Sequence, residues 1–210
     1  MNYEQILKYM ELGGSIMWIL LALSVLAVAI VLERIFFFVA SSANLEELEG
    51  AFAESISEDG VPSFAVPGAG AGLGKTPLQR LFLTACECWE LNDEKLEAKL
   101  KREARKELYR WERNLPLLEV IARAAPLLGL LGTVLGMVEM FGSMSVGGTI
   151  NARAVTDGIW KALFTTVAGL SVAIPVLIAH SFLAGMIDKE AEALERCSGF
   201  IMDKRGGKNL

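Results

Sequence analysis

The sequence predicts an all-α integral membrane protein with three transmembrane helices, flanked by a cytoplasmic helical region. The chain has 210 residues, of which 53% are hydrophobic, and its mean hydropathy is +0.42. Three apolar runs carry almost no charge: Leu12 to Leu32, Ala124 to Ala152 with Glu139 alone, and Ala162 to Ile187. Each run is long enough to cross a bilayer as a helix. No alternating strand pattern accompanies them, so helices are the economical way to satisfy the backbone in lipid.

The first run is predicted to be a retained helix over residues 14–40, preceded by a short outer segment at 1–13. It is too long for a cleavable signal peptide, and Glu33 and Arg34 follow it directly. The three phenylalanines at 36–38 suit the headgroup boundary, where aromatic side chains are enriched.

Residues 41–120 are predicted to form a cytoplasmic helical region. Asn44 is a candidate N-cap, and the apolar positions that follow it recur at helical spacing, which indicates a short helix over 44–58. The prolines and glycines of 59–77 indicate a flexible linker. A long amphipathic helix is expected from Asn92, with Pro116 and Pro126 interrupting it before the membrane. Its apolar face is expected to pack against the 44–58 helix or a neighbouring subunit.

A glycine-rich stretch in the linker, AGAGLGKT at 69–76, fits a relaxed phosphate-loop spacing. A phosphate loop needs a preceding strand and an α/β core, which give the bound phosphate a helix N-terminus. Pro67 stands upstream and no strand pattern precedes it. The flexible linker is therefore the preferred interpretation.

The distribution of Lys and Arg predicts the orientation. Basic residues cluster before the second span and after the third, whereas Arg153 alone lies between these two spans. The N-terminus is therefore predicted to be periplasmic and the C-terminus cytoplasmic. The remaining boundaries are a second span at 121–145, a short periplasmic loop at 146–156, a third span at 157–187 and a cytoplasmic tail at 188–210.

Composition argues against several classes of function. The net charge is −5 and no dense basic surface for nucleic acid is evident. Cys86, Cys88 and Cys197 fall on the predicted cytoplasmic side, where thiols stay reduced, and they lack the spacing of a metal site. No nucleophile–base pair or ligand set is recognisable, so neither an enzyme nor a cofactor is predicted.

Small residues form a ridge on each of the last two spans. Such ridges let helix backbones approach closely, and they predict close helix contacts within the subunit or between subunits. The ridge residues are Gly129, Gly132, Thr133 and Gly136 in the second span, and Gly158, Ala162, Thr166 with Thr165, Gly169 and Ala173 in the third.

Two segments resemble the ExbB/TolQ/MotA proton-channel family, and ExbB-like members most. They are PLLGLLGTVLGMVEMF at 126–141 and DGIWKALFTTVAGLSVAIPVLIAHSF at 157–182. The resemblance implies a homopentamer around the membrane helices of an ExbD-like single-span partner that carries a membrane Asp. It also implies that the proton-motive force drives a TonB-like transducer from the inner membrane. In such proteins two channel threonines face the partner's aspartate, and they correspond to Thr133 and Thr166, with Thr165 adjacent.

The residue chemistry agrees with this resemblance. A proton path needs an ionisable carrier with hydroxyls or water in reach, and no carboxylate stands at mid-depth in any predicted span. A partner would have to supply the acid. The alternative for each threonine is a bond to a carbonyl of its own helix, which is common in membrane helices.

Lys161 departs from the family pattern, since many members carry a carboxylate at that position. Its depth nearly equals that of Glu139 on the antiparallel second span, which suggests an ion pair near the outer mouth. The alternative is that Lys161 extends to the headgroups. At about 100° per residue, Glu139 does not share a helix face with Thr133, and Lys161 does not share one with Thr166. Neither residue is therefore clearly pore-facing.

Three functions remain open from the sequence. The first is an ExbB-like proton-channel subunit, with TolQ-like envelope maintenance as a variant of it. The second is a scaffold that binds a partner helix without conducting protons. The third is a peptidoglycan-anchored stator, although MotA-like chains usually have a fourth span.

Overall fold

The computed structural model describes residues 14–41, 45–55, 76–147 and 152–206, and every regular element among them is an α-helix. The helices are α1 Ser15–Ser41, α2 Leu45–Ser55, α3 Pro77–Glu87, α4 Asp93–Glu112, α5 Leu115–Gly147 and α6 Ala152–Gly206. Three helical stretches are long and apolar enough to cross a membrane. These findings confirm the predicted all-α, three-span fold. The predicted outer segment at 1–13 and most of the linker lie outside the described residues.

The helices fall into two compact units. The first contains the described residues up to Arg34 together with Asn114–Phe182, and it therefore holds most of the apolar length of α1, α5 and α6. One buried apolar cluster of this unit is formed by Ile16, Leu20, Ala125 and Ala173. Many large apolar side chains of the same helices point outward and remain exposed, as expected for helices that face lipid or another helix.

The Glu33 carboxylate of α1 is hydrogen-bonded to Asn114, just before the start of α5, within this unit. Asn114 adopts the left-handed conformation with φ 73°, which Asn tolerates better than most residues. Its side-chain nitrogen donates to Glu33 Oε2 at 2.9 Å, and Arg34 donates to Glu33 Oε1 at 2.7 Å. The helical conformation is therefore interrupted at Asn114, before Pro116. The two prolines were expected to interrupt the helix, but Pro116 lies in the first turn of α5 and Pro126 lies inside α5 without ending it.

The second unit combines the described residues within Ile35–Arg113 and Leu183–Leu210. Its core is formed by buried apolar residues of α2, α3, α4 and the last part of α6: Leu48, Phe52, Leu78, Leu81, Phe82, Ala85, Trp89, Leu96, Leu100, Leu194, Cys197 and Ile201. The apolar face of α4 thus packs mainly against α3 and shares this core with α2 and α6. Burial, followed by the nearby Glu49 carboxylate, raises the pKa of the Cys197 thiol.

Helix α3 differs from the sequence prediction, which contained no helix here and placed Pro77, the first residue of α3, in the linker. Thr76 caps the helix by accepting from the Gln79 backbone N–H, and the Gln79 side chain accepts in return from the Thr76 N–H. Pro77 occupies the first turn, where a missing N–H is harmless. This capping box was a readable signal for a helix start. By contrast, α4 begins directly after the Asn92 cap, as the sequence predicted.

Glu107 is the buried charge of the second unit. Its side chain is 1% exposed and lies between two arginines, with Arg80 at 3.1 Å and Arg110 at 2.8 Å. Arg205 makes a second long-range contact: it donates to the Leu91 carbonyl, pairs with Asp93 at 2.9 Å and lies over the Trp89 ring. The end of α6 is thereby fastened to the turn between α3 and α4.

We predict that Glu107→Ala destabilises the second unit by about 2 kcal/mol, because it leaves two arginines without their shared carboxylate. The measurement is urea unfolding of the purified chain, followed by helical circular dichroism and tryptophan fluorescence. Lys101→Ala is the matched control, since its pair with Glu97 is exposed and should change stability by no more than about 0.5 kcal/mol. Equal effects of the two substitutions would contradict this assignment.

Candidate functional site

The helices α5 and α6 cross within one chain, and glycine makes the crossing possible. A Cβ built on Gly169 would lie 2.6 Å from the Ala125 carbonyl oxygen, and one on Gly129 would lie 2.9 Å from the Thr165 carbonyl oxygen. Real Cβ atoms do not approach backbone so closely. A side chain at either position would therefore force the two helices apart.

The same close contact continues along both helices in an antiparallel register. A Cβ on Gly132 would meet the Thr165 side chain at 2.5 Å, and a Cβ on Gly136 would meet Ala162 at 3.3 Å. Further along, a Cβ on Gly158 would lie 2.9 Å from Met140. Six of the ridge residues predicted from the sequence thus lie in this contact, which is formed within the subunit: Gly129, Gly132, Gly136, Gly158, Ala162 and Gly169.

The ridge of α6 differs in phase from the expected one. Thr165, at 1% exposure, occupies the ridge between Ala162 and Gly169, whereas Thr166 is only partly buried at its side. From Ala125 onward, the buried positions in the described part of α5 are Ala125, Gly129, Gly132, Gly136 and Met140, so Thr133 lies beside the ridge rather than in it. The two ridges therefore exclude the two threonines proposed for the proton path.

The threonines of α6 converge on one carbonyl of α5. Thr165 Oγ1 donates to the Gly129 carbonyl at 3.2 Å or to Ala162 of its own helix at 2.7 Å. Thr166 Oγ1 donates to the same Gly129 carbonyl at 3.3 Å. An interhelical bond of this kind contributes about 0.6 kcal/mol in a membrane protein, so the bonds orient the hydroxyls more than they hold the helices.

Thr133 makes a local bond instead. Its hydroxyl donates to the Leu130 carbonyl at 2.6 Å, three residues earlier in the same helix. This is close to the local alternative considered from the sequence. The hydroxyl hydrogen is committed to the backbone, and the oxygen keeps its capacity to accept a hydrogen bond.

Lys161 and Glu139 meet at the other end of the crossing. Lys161 Nζ lies 2.8 Å from Glu139 Oε2, with side-chain exposures of 30% and 67%. They line a cavity of about 40 Å³ together with Gly14, Ser15, Ile16, Gly132, Leu135 and Gly136. That volume has room for a water molecule. The first turn of α1 is therefore part of this polar end, which the sequence did not reveal.

The sequence pattern of the MotA/TolQ/ExbB proton channel family matches residues 74–196. The chain belongs to this family. It is 33% identical over 196 residues to an ExbB-like biopolymer transport protein of Synechocystis, covering 90% of each chain. The ExbB biopolymer transport protein of Helicobacter pylori is 45% identical over 80 residues, covering 38% of this chain and 55% of the relative. The TolQ protein of the Haemophilus influenzae Tol-Pal system is 31% identical over 99 residues, covering 47% of this chain and 42% of the relative.

The matched region contains the whole crossing. Thr133, Thr165, Thr166, Glu139 and Lys161 all lie between residues 74 and 196. The family and the three apolar helices together make the chain a multi-pass inner-membrane protein of the proton-channel class. The candidate site is therefore the α5–α6 crossing with its three hydroxyls.

We predict that Gly169→Ala destabilises the first unit by about 2 kcal/mol, because the added methyl group would overpack the α5–α6 crossing. Gly185→Ala is the matched control, since it makes the same change in the same helix at a position with open space around it. The control should raise stability by up to about 1 kcal/mol through helix propensity. Thermal unfolding in detergent micelles compares the two, and a melting temperature that is unchanged by Gly169→Ala would contradict the tight crossing.

Proposed function

We propose that this chain is an ExbB-like subunit of a proton-driven motor. In this proposal the proton-motive force acts through an ExbD-like single-span partner on a TonB-like periplasmic transducer. The N-terminus is periplasmic, the C-terminus is cytoplasmic, and copies of the chain form a homopentamer. The name of the Synechocystis relative, which covers 90% of this chain, supports ExbB-like function, and the TolQ relative supports a TolQ-like motor as the second candidate.

One observation carries the proposal: the described parts of the three spans offer hydroxyls at the crossing but no carboxylate beside them. Glu139 lies six residues beyond Thr133, about 9 Å along the helix, and it is paired with Lys161. A proton carrier must therefore come from another protein. The membrane Asp of an ExbD-like partner would provide this group.

The hydrogen bonds define what the threonines can do for such an acid. The hydroxyl hydrogens of Thr133 and Thr166 point to backbone carbonyls, so their oxygens act as acceptors. An acceptor pairs with a protonated carboxyl group, which donates, and not with a carboxylate. The two threonines would thus stabilise the neutral form of the partner's acid as it passes.

Thr165 has a different role in this proposal. Its hydroxyl is buried between the helices and bonded to carbonyls of both. It positions the backbone at Gly129, whose carbonyl also accepts from Thr166. Its contribution to the proton path is therefore indirect.

We predict that Thr133→Val and Thr166→Val each reduce proton flux about tenfold, the equivalent of losing one hydrogen bond of 1 to 1.5 kcal/mol in the rate-limiting state. Flux is measured in vesicles that contain this chain and its single-span partner. Ser171→Ala is the control, because it removes an exposed hydroxyl from the same helix without touching the crossing. Thr165→Val should lower thermal stability as well as flux. Thr165→Ser keeps the hydroxyl and should leave both close to those of the parent protein. Unchanged flux in both of the first two variants would refute the path.

The ion pair gives a second test of the same site. We predict that Glu139→Lys or Lys161→Glu alone reduces flux, because each replaces the attractive pair, which meets at 2.8 Å, with two like charges that repel. The double reversal restores the pair and should retain more flux than either single variant. The same vesicle assay compares all three, and equal losses in the single and double reversals would show that the pair has no role.

A further inference from the structure

The exposed side of α4 carries a continuous basic surface, which we call the basic stripe. At about 100° per residue, six residues fall within a sector of roughly 80° that contains no carboxylate of this helix. They extend over about 27 Å of helix length. The stripe residues are Lys95, Lys99, Arg102, Lys106, Tyr109 and Arg113, all of them exposed.

Most of the stripe has no counter-charge within the described chain. Lys95, Lys99 and Arg102 make no ion pair with any residue of the described ranges, whereas Lys101, on another side of α4, pairs with Glu97. Tyr109 is 73% exposed beside these charges. A surface of this kind is either solvated or covered by an anionic partner.

The complementary surface lies in the same unit, on α2. This helix has four glutamates and no basic residue between Leu45 and Ser55. Glu46, Glu47 and Glu54 are exposed on the face opposite Leu48 and Phe52, which are buried in the core. We call this side the acidic face of α2, and its helix, about 16 Å long, fits within the length of the stripe.

We propose that the acidic face of α2 in one copy of the chain docks against the basic stripe of α4 in a neighbouring copy. A contact between two different surfaces can be head to tail, and a contact of this kind can close into a ring. Charge complementarity of this kind fixes orientation and register more than it adds affinity. The proposal rests on the self-association included in the proposed function, but it is independent of the proton path.

A membrane surface is the less suitable partner for the stripe. Ten residues, Asn114 to Arg123, separate Arg113 from the uncharged run that begins at Ala124, and the last nine of them are helical. As helix they extend about 13 Å, which exceeds the Debye length of about 8 Å at physiological salt. The acidic side of the end of α6 is also less suitable, because Lys189 and Arg196 are interspersed with its carboxylates.

The test uses two full-length alleles that are co-expressed and treated with a carbodiimide, which joins a carboxylate to an amine in direct contact. One allele, Glu47→Gln with Glu54→Gln, supplies only the lysines. The other, Lys95→Arg with Lys99→Arg, keeps the positive charge and supplies only the carboxylates. A bond from Glu47 or Glu54 to Lys95 or Lys99 can then form only between copies, and mass spectrometry identifies it.

We expect this bond in the co-expressed pair and in neither allele alone, with a yield that falls severalfold between about 0.05 and 0.5 M NaCl as screening increases. Lys95→Glu with Lys99→Glu should reduce the oligomer fraction about tenfold, and adding Glu47→Lys with Glu54→Lys in the same chain should restore it. Lys101→Glu, the control on another side of α4, should leave the oligomer fraction unchanged.

Several outcomes would overturn the proposal. They are the absence of any α2–α4 bond between copies, a bond from the stripe lysines to Asp188, Glu192 or Glu195 instead, or a failure of the combined reversal to restore the oligomer. Reduced binding to phosphatidylglycerol vesicles in the Lys→Glu variant, with an unchanged oligomer, would assign the stripe to the membrane. Thr166→Val should lose proton flux and keep the bond, so that a failed proton path and a failed contact are distinguishable.

Discussion

The close approach of α5 and α6 at Gly129 and Gly169 is the constraint on which the rest of the first unit depends. In lipid there is no hydrophobic force between helices, so association depends on packing and on interhelical bonds. The bonds of Thr165 are weak individually, and the packing requires backbone-to-backbone contact over several turns. That contact sets the register, and the register places Thr166 at the Gly129 carbonyl and Lys161 at Glu139. A substitution in the ridge that shifts this register would therefore alter both the Thr166–Gly129 hydrogen bond and the Lys161–Glu139 ion pair.

The second unit is stabilised as a water-soluble domain is, by burial of apolar side chains and by pairing of its buried charge. Its helices bury a mixed aliphatic and aromatic core, and the buried carboxylate of Glu107 is neutralised by arginines from two helices. The 55-residue helix α6 contributes to both units, with the crossing in one and Leu194, Cys197 and Ile201 in the other. Covalent continuity through this helix links the candidate site to the unit that carries the basic stripe.

The sequence was sufficient for the three spans, the start of α4 and the composition of the crossing, because each depends on local composition or capping. It was insufficient where tertiary packing decides. Thr165 and Thr166 are adjacent, and only the crossing determines which of them enters the ridge. Glu107 looked like one more charge on a solvated helix because its partner Arg80 lies 27 residues away. The capping box at Thr76 could have been predicted from the sequence, but it directly follows a glycine-rich stretch whose composition indicates a linker.

The direction of the threonine hydroxyls limits how the site could handle a proton. If the hydroxyl hydrogens were free, the site would stabilise a carboxylate and hold the partner's acid in its charged form. Since they are committed to backbone carbonyls, the site would, under the proposed function, favour the protonated form of the partner's acid, which has the lower desolvation cost in a membrane. Glu139 and Lys161 lie at the other end of the crossing, where they pair with each other. Proton release would then have to occur where the acid leaves the threonines and meets water, and rotation or translation of the partner relative to the crossing would provide that change of environment.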